Sequence, residues 1–328
     1  MISRRAFVAS AASGLLALPL AAAAQPARSP RRIGFLGNST ETLEANLVGP
    51  FRDGFRALGY VEGRDLVIEY RWAGGEYGRF PALIAELVAL KVEVIVTAGT
   101  PAALAVSRAA PAIPLVLVAV GDPVGTGLVK SIARPGGNRT GLVSIAPDLE
   151  GKRLELLTEM VPKLSHVAYL MNPANPFHAT SEKQARAAAR ALHLKVDFFA
   201  VRAESEFDPV FQMIASRHPG ALVMLADRLF LHHRRRIVDF AARHRLPTAY
   251  AYVELVQEGG LLSFGPSYPG MHRRAAYFVD RILKGADPAD LPMELPSKFE
   301  LVINLKTART LGLAIPQEIL LRADELIE

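Results

Sequence analysis

The chain of 328 residues has no cysteine. Disulfides, thiolate-ligated zinc and iron–sulfur centres are thereby excluded, as is lipid attachment through a signal-peptide cysteine. A strong charge bias is also missing. The formal charge of +6 includes Arg4 and Arg5, and a chain without those two carries +4. That suits a weakly acidic partner and argues against nucleic acid as a target. Beyond the first 25 residues no apolar run approaches the length of about 20 residues that spans a membrane.

Catalytic signatures are missing too. The first strand is followed by Gly34-Phe35-Leu36-Gly37-Asn38-Ser39, which is neither Gly-x-Gly-x-x-Gly nor a Walker loop. No Gly-x-Ser-x-Gly elbow and no His-Glu-x-x-His occurs, and the histidines are scattered. Neither catalytic residues, nor a metal site, nor a cofactor is expected. A secreted hydrolase of unrecognised type stays as a lesser alternative.

The N-terminus, by contrast, is informative. Ser3-Arg4-Arg5-Ala6-Phe7 precedes an apolar run from Val8 to Ala23 and a small-residue stretch ending at Ala24. This pattern predicts a twin-arginine-type signal peptide over 1–24, cleaved near Ala24, and hence a periplasmic protein.

From Arg31 onward short apolar runs alternate with helical segments, which predicts parallel sheets covered by helices. Arg32–Leu36, Leu66–Trp72, Val92–Val96 and Leu115–Val120 read as strands; Leu43–Leu58 and Phe80–Leu90 read as helices, with Pro101 in the first turn of another. The grammar restarts after about residue 145, with strands at His166–Met171, Lys195–Ala200, Ala221–Leu225, Pro247–Tyr250 and Leu261–Phe264, and one helix over Leu231–His244. The expected fold is α/β, with two doubly wound Rossmann-like lobes joined by a multi-strand hinge. Residues 31–145 plus 268–292 are assigned to lobe 1, and 146–267 plus 293–328 to lobe 2.

Ligands of open α/β sheets bind beyond the carboxyl ends of the strands. Those positions hold Asn38, Ser39 and Thr40, then Thr97, Ala98, Gly99 and Thr100, then Gly121 and Asp122 in the first lobe. The second lobe offers Asn172, Asn175, Asp227, Tyr252 and Glu254. Hydroxyls, amides and open backbone there suit a small polar ligand, with Asp227 or Glu254 opposite an ammonium. Trp72, Phe177, Phe230, Tyr250 and Tyr252 are candidates for packing an apolar side chain. Each residue has a plainer reading. Ser39, Thr40 and Thr100 suit helix caps, Asp122, Asn172 and Asn175 suit turns, and Trp72 and Tyr252 suit ordinary packing.

Several runs together resemble one family: Tyr60-Val61-Glu62-Gly63-Arg64, Ile68-Glu69-Tyr70-Arg71-Trp72, Thr97-Ala98-Gly99-Thr100-Pro101-Ala102-Ala103, Gly121-Asp122-Pro123-Val124, Ala133-Arg134-Pro135-Gly136-Gly137-Asn138, Asn172-Pro173-Ala174-Asn175-Pro176, and Phe299 through Ala308. They are similar to the substrate-binding proteins of ABC transporters of the tryptophan/tyrosine-binding type, which have the type I periplasmic-binding fold. The resemblance implies a non-enzymatic receptor that closes on a small amino-acid-like ligand, aromatic ones included. Its partner would be a permease in the inner membrane, and it would act as a monomer. It further implies that the turns at Thr97–Thr100 and Gly121-Asp122 hold the ligand's carboxylate and amine, that Asp227 faces the ammonium, and that Asn172 and Asn175 cap from the second lobe. A receptor feeding a membrane sensor kinase would have the same sequence features. A DNA-binding regulator of similar lobes finds no room for its helix-turn-helix before Arg31.

Overall fold

The structure is a computed structural model and describes residues 29–144 and 149–328. The expected signal peptide and its cleavage point lie outside the described residues. Among the described residues no helix is long and apolar enough to cross a membrane.

The first sheet has five strands in the order β2-β1-β3-β4-β5, all parallel. These are β1 (Arg31–Gly37), β2 (Leu66–Trp72), β3 (Val94–Ala98), β4 (Leu115–Val120) and β5 (Arg139–Val143). β3 and β4 are buried along their whole length. Strands covered on both faces need apolar side chains at every position, which is why they read as continuous Val/Leu/Ile runs. Helices α1 (Ala45–Ala57), α2 (Phe80–Ala89) and α3 (Thr100–Ala109) follow strands β1, β2 and β3. Pro101 stands in the first turn of α3, where the lost N–H costs nothing.

The second sheet has seven strands, β12-β11-β10-β9-β8-β6-β7. Five belong to the βα alternation: β6 (His166–Met171), β7 (Lys195–Ala200), β8 (Ala221–Met224), β9 (Thr248–Tyr250) and β10 (Leu262–Pro266). β11 (Phe299–Asn304) pairs antiparallel with β10, and β12 (Glu325–Ile327) extends that edge. Its helices are α4 (Leu149–Met160), α5 (Phe177–Ala191), α6 (Phe207–Ser216), α7 (Arg228–His232), α8 (Arg234–Arg243) and α9 (Val253–Gln257), before α10 (Tyr268–Leu283), α11 (Leu305–Leu311) and α12 (Gln317–Arg322). The two sheets are the lobes of a type I periplasmic-binding fold. α10 returns to the first sheet and packs on α1, β4 and β5.

Three segments connect the lobes: the stretch after β5, the step from β10 to α10, and the return from α10 to β11. Val143 N–H donates to the Glu294 carbonyl at 2.9 Å, and Glu294 N–H to that of Gly141 at 2.9 Å, so the third connection runs beside β5. The buried Arg153 guanidinium bonds Glu150 at 2.6 Å and the carbonyl of Phe264 at 2.9 Å, tying α4 to β10 at the second connection.

One helix expected over Leu231–His244 is in fact two. α7 begins at Arg228, capped by the Asp227 carboxylate at the Leu229 amide, and ends at His232; α8 starts at Arg234, with His233 as the break between them. The basic residues at the start of α8 are ion-paired. Arg234 and Arg235 meet Glu258 at 3.3 and 3.1 Å, and Arg236 meets Asp208 at 2.7 Å.

Candidate functional site

The carboxyl ends of the two sheets face each other across a narrow slot with a cavity volume of only about 20 Å³. The first lobe lines it with Gly99, Thr100, Ala119, Gly121 and Ser144; the second with Asn175, Phe177, Asp227, Arg228 and Tyr252; Tyr268 stands where the second connection enters α10. The larger hollows lie elsewhere. One sits behind the connections, beside Leu142, Arg274 and Glu294, and another at the amino ends of β9 and β10.

In the first lobe the walls are small. Gly99 has φ +81° and carries the Arg228 side chain 3.3 Å from where a Cβ would stand. The Phe177 ring occupies the place of a Cβ at Gly121, so only glycine fits there. The Thr100 hydroxyl donates to the Gly121 carbonyl at 3.2 Å and accepts its N–H at 3.0 Å, fixing the β3 turn to the β4 turn. The Gly99 amide is already bonded to the Val118 carbonyl. Asp122 has φ +39° and its carboxylate accepts from the Gly125 amide and, across the slot, from the Thr180 hydroxyl at 3.3 Å.

In the second lobe the walls are large and polar. Asp227 Oδ1 accepts from the Tyr77 hydroxyl at 2.7 Å, Asn172 Nδ2 at 3.1 Å and the Leu229 amide at 3.0 Å. Its Oδ2 accepts from Asn175 Nδ2 at 2.8 Å. A carboxylate oxygen has two lone-pair sites, so Oδ2 retains acceptor capacity towards the slot. His178 joins this turn to β8. Its Nδ1 accepts the Asn172 amide at 2.8 Å, which leaves Nε2–H to donate to the Ala226 carbonyl at 3.1 Å.

Contacts between the lobes put the molecule in a closed arrangement. Tyr77 of the first lobe holds Asp227 of the second. Ser39 Oγ meets His232 Nδ1 at 2.6 Å, and Asn46 Nδ2 donates to Glu254 Oε1 at 2.7 Å.

Arg228 is the group that sequence reasoning passed over. It is buried, with Cζ 5.4 Å from the Tyr252 ring centre and 5.2 Å from that of Tyr268. Burial works against its charge, and Tyr252, Glu44, Tyr268 and Glu254 outweigh it, so the guanidinium stays protonated. Burial pushes the Glu44 carboxyl up, against Arg228 and the amides of Ser39 and Asn38. His272 is driven down to about 3 by burial and by the charge of Arg228, so its imidazole is neutral. Several buried polar atoms in this neighbourhood lack partners: Arg228 Nη2, Glu254 Oε2, Asn38 Oδ1 and His272 Nε2.

Of the residues singled out from sequence, Gly99, Thr100, Gly121, Asn175, Asp227 and Tyr252 line the slot. Phe177 lines it as well, against Gly121. Asn172 acts through Asp227, Ser39, Asp122 and Glu254 through contacts between the lobes, and Asn38 from beside Ser39. The structure does not bring Thr40, Thr97 or Ala98 into the slot. Thr40 is exposed and caps the Leu43 amide at 3.3 Å; Thr97 donates to the Leu36 carbonyl within the sheet; Ala98 accepts from Asn38 Nδ2. Phe230 and Tyr250 belong to the core, and Trp72 stacks on Tyr70. Among the described residues no cluster of three or more potential metal ligands occurs.

Comparison with known proteins agrees with this geometry. The family model for ABC transporter substrate-binding proteins matches residues 39–327. A tyrosine-binding protein of Clostridioides difficile (strain R20291) is 25% identical over 263 residues, 78% of this chain and 73% of that relative. A domain from Streptococcus pneumonia crystallised with L-Trp is 26% identical with a TM-score of 0.85, covering 91% of this chain and all of the other. A conserved domain protein of Vibrio cholerae gives the same figures. A leucine-binding protein from Thermotoga maritima, 13% identical with a TM-score of 0.57 over 78% of this chain and 83% of its own, shares the fold. The chain belongs to the family of ABC transporter substrate-binding proteins.

Proposed function

We propose that the protein is an exported, non-enzymatic solute receptor that closes on a small amino-acid-like ligand, aromatic ones included, and delivers it to an ABC permease in the inner membrane. The observation that carries this reading is the slot itself. Two rigid sheets present their carboxyl ends to one another, and Gly99, Thr100 and Gly121 face Asn175, Asp227 and Tyr252 across it. Sites of this kind sit where an α/β fold opens between domains.

Asp227 Oδ2 is positioned to take an ammonium, and the Tyr252 and Tyr268 rings, 4.7 Å apart, offer apolar faces to a side chain. Phe177 fills the space beside Gly121, so loading requires the slot to widen, with the three connections as the hinge. Two relatives, named for tyrosine and crystallised with L-Trp, support the ligand class. The twin-arginine-type start supports export.

A thermal-shift screen of amino acids, aromatic acids and sugars, followed by calorimetry, tests the reading. A bound amino acid should raise the melting temperature by mass action. Sugars as the sole stabilisers, or chemical turnover of the bound compound, would contradict it.

A further inference from the structure

We infer that Arg228 is the anion clamp of the slot, so the ligand enters with a carboxylate bound by the guanidinium and not by the first-lobe turns. This rests on the receptor reading above and narrows it to carboxylate-bearing ligands. A guanidinium carries five N–H donors in a planar fork. Among the described residues the Arg228 side chain finds no hydrogen-bond or ion-pair partner, and its Nη2 is fully buried without one. Leaving a buried cation unpaired is costly, and removing a charge from water is compensated only by a bonded counter-charge.

The surroundings hold Arg228 without satisfying it. Tyr252 and Tyr268 present ring faces, and Glu44 and Glu254 exert attraction from outside bonding range. Glu44 Oε1 accepts from the amides of Asn38 and Ser39, and Glu254 Oε1 from Asn46, while Glu254 Oε2 is buried without a partner. Some of the first-lobe donors that an anion could otherwise use are engaged. Gly99 N–H bonds Val118, while Gly121 N–H and the Thr100 hydroxyl bond each other. Arg228 is thus the cationic donor left over in the slot.

The rest of the lining favours a planar monoanion. Asp227 and Glu254 stand close and would repel a phosphate dianion, whereas a carboxylate matches the fork geometry of arginine. The same acids suit an ammonium on the same ligand, which gives a zwitterion with its carboxylate at Arg228 and its ammonium towards Asp227.

The test is calorimetry of the purified protein with three pairs of probes: L-tyrosine and L-tryptophan; 3-(4-hydroxyphenyl)propionate and indole-3-propionate, which lack the amine; tyramine and tryptamine, which lack the carboxylate. The wild type should bind the amino acids and acids, and bind the amines at least about 30-fold more weakly, the scale of losing one partner of a buried charge pair. Arg228→Met should lose the acids by a similar factor while its ligand-free melting temperature changes little, because no hydrogen bond or ion pair within the protein is removed and methionine keeps the packing on the Tyr252 and Tyr268 rings. Arg228→Lys keeps the charge without the fork and should lie between. Amines binding as tightly as their parent amino acids, or Arg228→Met binding acids like the wild type, would overturn the clamp and leave the receptor reading standing. A ligand-free Arg228→Met that melts several degrees lower would overturn it by showing a structural role. A wild type that binds none of the six probes would overturn the clamp for aromatic ligands and the aromatic part of the receptor reading.

Discussion

The two faces of the slot are built on opposite plans. The first lobe offers backbone and small side chains whose hydrogen bonds are closed on themselves, as with Thr100 and Gly121. The second lobe offers Asp227, Arg228, Phe177 and Tyr252, which are large, polar or charged and reach across. Arg228 lies over Gly99, and Phe177 over Gly121. In the proposed receptor, one face serves as a smooth seat and the other carries the recognition groups; closure then depends on the first lobe having no Cβ at these places, and selectivity on the second.

This asymmetry can be broken from either side. The largest effect is expected at the second lobe. Asp227→Ala leaves the Tyr77 hydroxyl, two asparagine amides and the Leu229 amide without their acceptor. Stability should fall by about 3–5 kcal/mol, the scale for breaking a buried charged network, as read by urea denaturation. A loss confined to ligand affinity would show that the network is not structural.

Next comes the seat. Gly121→Ala places a methyl group in the Phe177 ring. The fold survives when the lobes part, so the cost falls on closure, about 1–3 kcal/mol of ligand affinity with little change in melting temperature without ligand. Unchanged affinity would mean that the lobes need not meet so closely. Tyr77→Phe removes the hydroxyl that reaches Asp227 from the first lobe and should weaken ligand binding by about 1–2 kcal/mol.

A further effect concerns acidity. His272 and His233 are held down to about 3 and about 4 by burial, His272 further by Arg228 and His233 by His232. Both are neutral when folded and take up protons on unfolding below their ordinary value of about 6.5. Stability present above that pH should therefore fall as pH drops towards 4, His272 contributing about 1.4 kcal/mol per pH unit and the half-buried His233 less. His272→Phe should flatten part of that slope. An unaltered slope would place the imidazole in a more polar setting than the packing of Phe35 and Tyr268 around it provides.

The sheets were legible because buried parallel strands are apolar throughout, as in Val94–Ala98 and Leu115–Val120. β5 was not, because Arg139-Thr140-Gly141-Leu142-Val143 starts polar and contains a glycine; its pairing with β4 is what makes it a strand. β12 is short and exposed, and α9 and α12 are five and six residues long, so no periodicity could develop. The break at His233 is hidden within a run whose apolar spacing continues through it. In the site, Asp227 and the glycine turns were readable because they end strands. Arg228, Tyr77 and Asn46 were not. Arg228 stands four positions beyond the end of β8 and looks like a surface cation, and Tyr77 and Asn46 matter only because a residue more than 100 positions away comes to meet each of them.

Small-angle scattering of the wild type and Gly121→Trp, each with and without saturating L-tyrosine or L-tryptophan, probes closure most directly. The wild type should contract on binding, and the variant, its seat filled by an indole, should stay extended and bind poorly. Equal curves from both proteins under all conditions, with ligand demonstrably bound, would contradict a slot formed by two lobes that shut.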